Sequence, residues 1–325
     1  GDPTGYRPLR LITAEYLNAT RGIRCDADQI IVVAGSQQAL SIATRVLLNE
    51  GDVVWMEDPG YPGAHAAFRG AGARVLPIPV DAQGLDIAHG VLHGDDARLV
   101  YATPSHQYPL GVTMTLSRRL ELLDWSRRSN AWILEDDYDS EFRYTGMPLA
   151  ALKGLDTEGR VIYIGSFSKM LFPSLRLGYM VVPPDLVDTF AATRALIDRG
   201  SSSLDQAVLA EFISEGHFAR YVRRARMLYA ERQKTLIDAA IDKLGGLLEV
   251  PPSDSGMHLV GWLPEGFDDL IAYKKAAEHS VEAPPLSVYY TEPPERGGLL
   301  LGYTGVDTCE IKEGVNRLAL ALESL

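Results

Sequence analysis

Seven short, largely apolar runs recur through the first 182 residues, and within two residues of its end each has given way to glycine, proline, acidic or hydroxyl residues. They cover 30–33, 53–56, 73–79, 99–102, 131–134, 161–164 and 179–182. Runs this short and this rich in β-branched residues are buried strands, not helices. Helical spacing fills many of the gaps. Leu9, Ile12, Tyr16 and Leu17 share one face of a helix over 8–21 that ends near Gly22. Further helices are expected at 37–48, 63–71 and 117–128. Strands alternating with helices predict an α/β fold with a mostly parallel, doubly wound sheet.

The pattern changes after Pro183-Pro184. Residues 185–198 and 204–243 read as helices, the second carrying a basic amphipathic run over 221–232. Pro251-Pro252 breaks that run. Strands are then expected at 256–262, 287–290 and 299–303, with a closing helix at 310–324. The expected organisation is a large domain over 1–200, connecting helices over 201–245 and a small α+β domain over 246–325.

Charge narrows the function classes. Thirty-one Lys and Arg stand against 43 Asp and Glu, for a formal net charge of -12. A chain this acidic is a poor nucleic-acid binder, because phosphate backbones demand a basic footprint. Cys25 and Cys309 stand far apart without metal-ligand spacing, which fits a reducing, cytoplasmic setting and argues against structural zinc. No apolar run reaches the roughly 18 to 20 residues of a membrane helix, and no signal peptide is visible. The opening string Gly1-Asp2-Pro3-Thr4-Gly5-Tyr6 is turn chemistry, so residues upstream of it are expected.

Chemistry gathers where strands end, the edge at which doubly wound sheets bind ligands. Gly35-Ser36-Gln37-Gln38-Ala39 opens a helix, and free N–H groups there attract anions. Ser36 could equally be an ordinary N-cap. Asp58-Pro59-Gly60-Tyr61-Pro62 holds a stiff loop whose Tyr61 can stack on a flat heteroaromatic ring, or simply pack on its own domain. Glu135-Asp136-Asp137-Tyr138-Asp139 follows the run over 131–134. Crowded acids repel, so one of them facing a protonated ring nitrogen is one solution. A metal site or a solvated acidic loop is the alternative, although no His or further acid stands at ligand spacing. Gly165-Ser166-Phe167-Ser168-Lys169 follows the run over 161–164, with Arg176 seven residues on. A lysine among apolar neighbours at a strand end can act as an imine-forming nucleophile, and Ser166 and Arg176 can donate to a phosphate. A surface lysine in a loop is the commoner fate. Phosphate donors, a ring stacker, an acid for a ring nitrogen and an amine for an aldehyde are together what pyridoxal 5'-phosphate (PLP) requires.

These strings resemble PLP-dependent enzymes of fold type I over essentially the whole chain. They are most similar to the aminotransferase-like domain of MocR-type regulators in the GntR superfamily. The likeness is carried by the opening string through Arg10, by Gly35 to Leu40, by Thr103-Pro104-Ser105-His106-Gln107-Tyr108-Pro109-Leu110-Gly111, by the acidic string through Tyr144 and by the lysine string through Tyr179. The resemblance implies Lys169 as the Schiff-base lysine, Asp136 as partner of the pyridine nitrogen and Tyr138 as donor to the phenolic oxygen. Asp137 is the rival to Asp136, and spacing relative to Tyr138 favours Asp136. Tyr61 would stack on the ring, while Ser36, Gln37, Ser166 and Arg176 would hold the phosphate; no metal is implied.

Three departures from the enzymes stand out. Tyr108 occupies the place where they carry an Asn donor. Leu300 stands where a late-strand Arg would bind a substrate carboxylate, with Arg296 nearby in a Pro/Gly-rich loop. The winged helix-turn-helix of MocR-type proteins is expected upstream. The resemblance thus implies an effector domain that senses PLP or a PLP-amine adduct, with a working amino-acid aminotransferase as the alternative. It further implies a homodimer, a small amine or amino-acid effector, and DNA contact only through the upstream domain.

Overall fold

The computed structural model describes residues 2–146, 149–198 and 200–325; Gly1 of the opening string lies outside them. The chain divides into two compact units. One holds most of residues 1–221, and the other takes Val222–Leu325 with Tyr108–Gly111 and Ser140–Gly146.

In the first unit the strands are β1 (Ile30–Val33), β2 (Val53–Asp58), β3 (Arg74–Asp81), β4 (Gly84–Leu85), β5 (Leu99–Ala102), β6 (Trp132–Asp137), β7 (Val161–Ser166) and β8 (Gly178–Val181). They form one sheet in the order β1-β8-β7-β6-β5-β2-β3-β4. Neighbours from β7 through β6, β5 and β2 to β3 are parallel, while β8 runs antiparallel to both β1 and β7. The mostly parallel α/β sheet read from the strand–helix alternation is therefore present.

Local chemistry sets the helices. The first, α1 (Arg7–Arg21), starts with Pro8 in its first turn and stops at Gly22, whose φ of 67° is left-handed. The second, α2 (Ser36–Leu47), follows Gly35 at φ 115°, a conformation that glycine alone adopts without strain. Next come α3 (Pro62–Gly70), α4 (Ile87–Gly94) and α5 (Leu116–Ser129). Thr115 caps α5 by accepting from the Arg118 N–H. Short turns α6 (Leu152–Leu155) and α7 (Phe167–Met170) precede α8 (Val187–Asp198) and α9 (Ser203–Ser214). The single helix expected over 204–243 is two, because Gly216 at φ 74° separates α9 from α10 (His217–Lys243).

The sheet is covered on both faces. One face packs Ile31, Val33, Val54, Leu134, Ile162 and Met180 against α2 and α3, around the fully buried Phe68. The other centres on Trp55 and Trp125, stacked with ring centroids 3.9 Å apart. Their indole N–H groups donate to the Gly94 carbonyl and to Asp95, so neither buried donor is wasted.

The second unit holds a two-stranded sheet of β9 (His258–Trp262) and β10 (Gly298–Gly302), with α11 (Asp269–Glu278) and α12 (Thr308–Leu322). Asp307 and Glu310 form a capping box at the start of α12. The strand expected over 287–290 is instead a 3-10 turn, Leu286–Tyr289. The buried Asp269 carboxylate accepts from both the N–H and the hydroxyl of Ser287, which curls the backbone and overrides its β-branched character.

One more difference bears on the site. The apolar strand expected to stop at residue 134 runs on through Glu135, Asp136 and Asp137. Backbone pairing continues on both sides, to Ala102 in β5 and to Ile164 and Gly165 in β7. The acids are thus strand residues, not loop residues. Among the described residues no helix is long and apolar enough to cross a membrane.

Candidate functional site

Five polar strings sit at the C-terminal ends of β1, β2, β5, β6 and β7, on one edge of the sheet. The pleat of β6 then sorts its acids. Alternate residues face opposite ways, so Glu135 and Asp137 share one face and Asp136 takes the other. Glu135 accepts from the N–H groups of Leu152 and Lys153, each at 2.8 Å. Asp137 accepts from the Tyr163 hydroxyl at 2.7 Å and pairs with Arg21 at 2.5 Å. Both partners of that ion pair are buried.

Asp136 is held differently, by two hydroxyl donors rather than by a cation in contact. Tyr101 donates to one carboxylate oxygen at 2.9 Å and Ser36 to the other at 3.3 Å. Burial pushes its carboxyl up to about 6, against the Tyr101 and Ser36 hydrogen bonds and the more distant Lys169 charge, while Asp137 adds repulsion. The Tyr101 hydroxyl is in turn pushed far above its usual range, by burial first and then by Asp136.

Around this acid the other predicted residues take up definite places. Lys169 lies on α7 and is exposed, whereas its neighbours Phe167, Ser168 and Met170 are buried. Its charge nevertheless acts on the buried carboxyls of Asp136 and Asp139. Ser168 fixes the turn, exchanging hydrogen bonds with the backbone of Leu177. Ser166 closes β7 opposite Gly178. A Cβ on Gly178 would come within 2.8 Å of the Gly165 carbonyl and 3.2 Å of the Gly35 Cα. Only a glycine lets these three backbone segments meet there.

The mouth of α2 lies beside that contact. The Ser36 and Gln37 N–H groups begin the helix and have no intrahelical acceptor. The Arg176 guanidinium flanks it, 3.8 Å from where a Gly35 Cβ would sit. Arg176 itself adopts a left-handed φ of 50°. Half-buried Tyr61 is anchored by the Gln37 side-chain amide, which donates to its hydroxyl at 3.1 Å. Gln37 therefore meets Tyr61 through its side chain and the helix mouth through its backbone. Tyr138, half-buried after β6, meets the His106 ring at 2.9 Å.

Several residues escaped sequence reasoning. Glu57 is buried at the end of β2, accepting from the Thr103 N–H and hydroxyl and from the Gln107 amide. Burial pushes its carboxyl up to about 7, against those donors. Gln107 also donates to the Pro59 carbonyl at 2.7 Å, tying the loop after β5 to the loop that bears Tyr61. Tyr101, Tyr163 and Arg21 were not singled out either. The signal for the tyrosines was present: each is a hydroxyl within an otherwise apolar run, 99–102 or 161–164, flanking the acidic strand. Nothing local marks Arg21, which ends a helix more than a hundred residues from Asp137.

Chemically, the edge offers an anion site at a helix mouth with a guanidinium beside it, an aromatic ring, a buried carboxylate with spare charge and an exposed primary amine. The carboxylate fits a cationic ring nitrogen, since hydroxyl donors leave its charge uncompensated whereas Asp137 already has Arg21. Among the described residues no cluster of three or more His, Cys, Asp or Glu side chains has metal-holding geometry.

In the second unit, Leu300 lies in β10 beside Val260. It is buried with Val260 and Leu286, and Tyr108, Leu110, Tyr289 and Tyr290 pack on that cluster. Arg296 is engaged elsewhere: it donates to the Leu263 carbonyl at 2.7 Å, pairs with Glu249 at 2.9 Å and lies over the Trp262 ring.

Residues 1–318 match the family described as aminotransferase class I and II. The probable rhizopine catabolism regulatory protein MocR of Rhizobium meliloti is 45% identical over 324 residues, which cover 99% of this chain and 65% of that protein. The uncharacterized HTH-type transcriptional regulator YdeL of Bacillus subtilis is 39% identical over 324 residues, covering 99% and 69%. The chain thus spans about two thirds of the length of these regulators. Among solved structures, the kynurenine aminotransferase of Pyrococcus horikoshii, in complex with PMP, superposes with a TM-score of 0.92 at 31% identity, over 100% of this chain and 82% of that one. The chain belongs to the class I and II aminotransferase family, with its fold type I architecture, in the MocR-type branch.

Proposed function

We propose that this chain is the effector domain of a MocR-type transcriptional regulator, and that it senses PLP or PLP joined to a small amine or amino acid. The cofactor is pyridoxal 5'-phosphate. When bound, it supplies an aldehyde that condenses with amines and a pyridinium ring that withdraws electrons. Lys169 provides the amine through Nζ, and its exposure leaves that atom accessible. Asp136 would hold the proton on the ring nitrogen, since its hydroxyl donors leave its negative charge without a cation in contact whereas the neighbouring Asp137 is paired with Arg21. Tyr138 donates to the phenolic oxygen and Tyr61 covers the ring. Ser36 and Gln37 at the helix mouth, with Ser166 and Arg176, bind the phosphate.

The observation that carries a sensor rather than an enzyme is the surroundings of Leu300. That position is apolar and ringed by tyrosines, and the nearby Arg296 is spent on Leu263, Glu249 and Trp262. A bidentate partner for a substrate carboxylate is thus missing from β10. Purified protein given PLP, a panel of amino acids and keto acids is expected to show little or no turnover. Sustained transamination on the order of 1 to 1000 per second is the result that overturns this reading in favour of an aminotransferase.

DNA contact is assigned to a winged helix upstream of this chain, consistent with the net charge of -12 here, and the protein is placed in the cytoplasm. A homodimer is the expected assembly. A sedimentation mass of one chain at micromolar concentration contradicts it.

A further inference from the structure

One polar link at the start of α2 has no task in the cofactor reading. The Gln38 side chain turns back over the first turn of the helix, where its Oε1 accepts from the Ala34 N–H at 2.8 Å. Its Nε2 donates at 2.6 Å to a carboxylate oxygen of Asp198, the last residue of α8. The other oxygen of that carboxylate accepts from the Gly200 N–H at 2.8 Å. Ala34, Gln38 and Asp198 all belong to the first unit.

We propose that Gln38 and Asp198 are positioning residues. They hold the turn Ala34-Gly35-Ser36 in the form that presents the Ser36 and Gln37 N–H groups to the cofactor's phosphate. This rests on the reading of the site as a PLP site.

The need for a brace comes from Gly35. Its φ of 115° with ψ 179° is open to glycine, and glycine has many other conformations to choose from. A glycine at the junction of β1 and α2 therefore does not by itself aim the N–H groups that follow it. Gln38 fixes the chain on both sides of Gly35. Its backbone N–H donates to the Gly35 carbonyl at 3.1 Å, while its side chain takes the N–H of the residue before. The second bond is the return half of a capping box moved one residue outward.

Asp198 decides which way the Gln38 amide points. An amide has an acceptor on one side and donors on the other, so a flip would set Nε2 against the Ala34 N–H, donor against donor. An ionised carboxylate only accepts. It draws Nε2 to itself and leaves Oε1 for Ala34. A hydrogen bond to a charged acceptor is also stronger than one between neutral groups, so the preference is firm.

The test compares PLP with pyridoxal, which carries the same aldehyde and ring but no phosphate. Each is titrated into the chain and followed by the visible absorbance band. Wild-type protein is expected to bind PLP the more tightly. Gln38→Leu removes both side-chain hydrogen bonds and should weaken PLP binding about five- to tenfold, the effect of losing about one net hydrogen bond, with pyridoxal within about twofold of wild type. Asp198→Ala leaves the brace without its orienting partner, so PLP binding should weaken about two- to threefold, again with pyridoxal unmoved. A merely structural role weakens both ligands alike, because they share everything but the phosphate. Equal losses for the two ligands, or PLP affinity at the wild-type value in folded Gln38→Leu, overturns the proposal. If Gln38→Leu does not fold, Asp198→Ala, at an exposed position, decides by the same comparison. Wild-type protein that gains no band with either compound, or binds both equally, overturns the cofactor or phosphate reading and this proposal with it. A wild-type preference for PLP that survives intact in the variants overturns this proposal alone.

Discussion

Lys169→Ala abolishes the visible band that the wild-type chain gains with PLP, and borohydride reduction no longer adds the mass of the cofactor to the protein. The effect is expected to be complete, since a covalent link through Nζ has no substitute once the amine is gone. The structure makes this a clean experiment. Lys169 is exposed on α7 while Phe167, Ser168 and Met170 supply the packing, so truncation to Ala leaves the turn and its hydrogen bonds to Leu177 intact. An exposed substitution of this kind changes stability by about 0.5 kcal/mol or less. A thermal midpoint close to wild type therefore accompanies loss of the band. A band that survives unchanged in the variant assigns the link to a different lysine.

The second large effect concerns stability. Arg21→Ala is expected to cost about 3–5 kcal/mol, because it leaves the Asp137 carboxylate buried without its counter-charge. The Arg21 guanidinium also donates to the Ser105 hydroxyl and to the Leu149 carbonyl. The penalty follows from burial, since the Asp137 side chain has no exposed surface and that of Arg21 only 7%. Denaturant unfolding monitored by tryptophan fluorescence reads it directly, through Trp55 and Trp125 in the core. A companion variant identifies the cause. Arg21→Met with Asp137→Leu removes both charges and should recover much of the loss, less the cost of the lost Tyr163–Asp137 hydrogen bond, about 1 kcal/mol. Arg21→Ala within about 1 kcal/mol of wild type would show that Asp137 does not depend on this pair.

Much of the fold was legible because burial leaves a periodic signature. Strands buried on both faces read as continuous β-branched runs, and the amphipathic spacing of 8–21 marked α1. The polar strings showed where the ligand edge would lie, because short polar stretches after apolar runs mark strand ends. What periodicity could not deliver was tertiary chemistry. The strand was expected to stop at residue 134, with residues 135–137 following its end, since acids do not propagate strands. They are strand because Tyr101, Tyr163, Arg21 and the N–H groups of Leu152 and Lys153 supply donors from distant parts of the chain. The strand expected over 287–290 failed for the converse reason, as Asp269 imposes a turn on a strand-like sequence.

The alternation along β6 has a consequence for heredity. Asp136 and Asp137 are adjacent codons with unlike failure modes. Loss of the Asp137 contacts lowers the folded fraction, so such alleles disappear as missing protein and yield to chaperones, lower growth temperature or a second-site stabilising change. Loss of Asp136 removes a charge that burial already strains. On the proposed reading those alleles would also weaken the hold on the cofactor ring, a loss that no global suppressor restores. On that reading one pleat separates lesions of folding from lesions of binding.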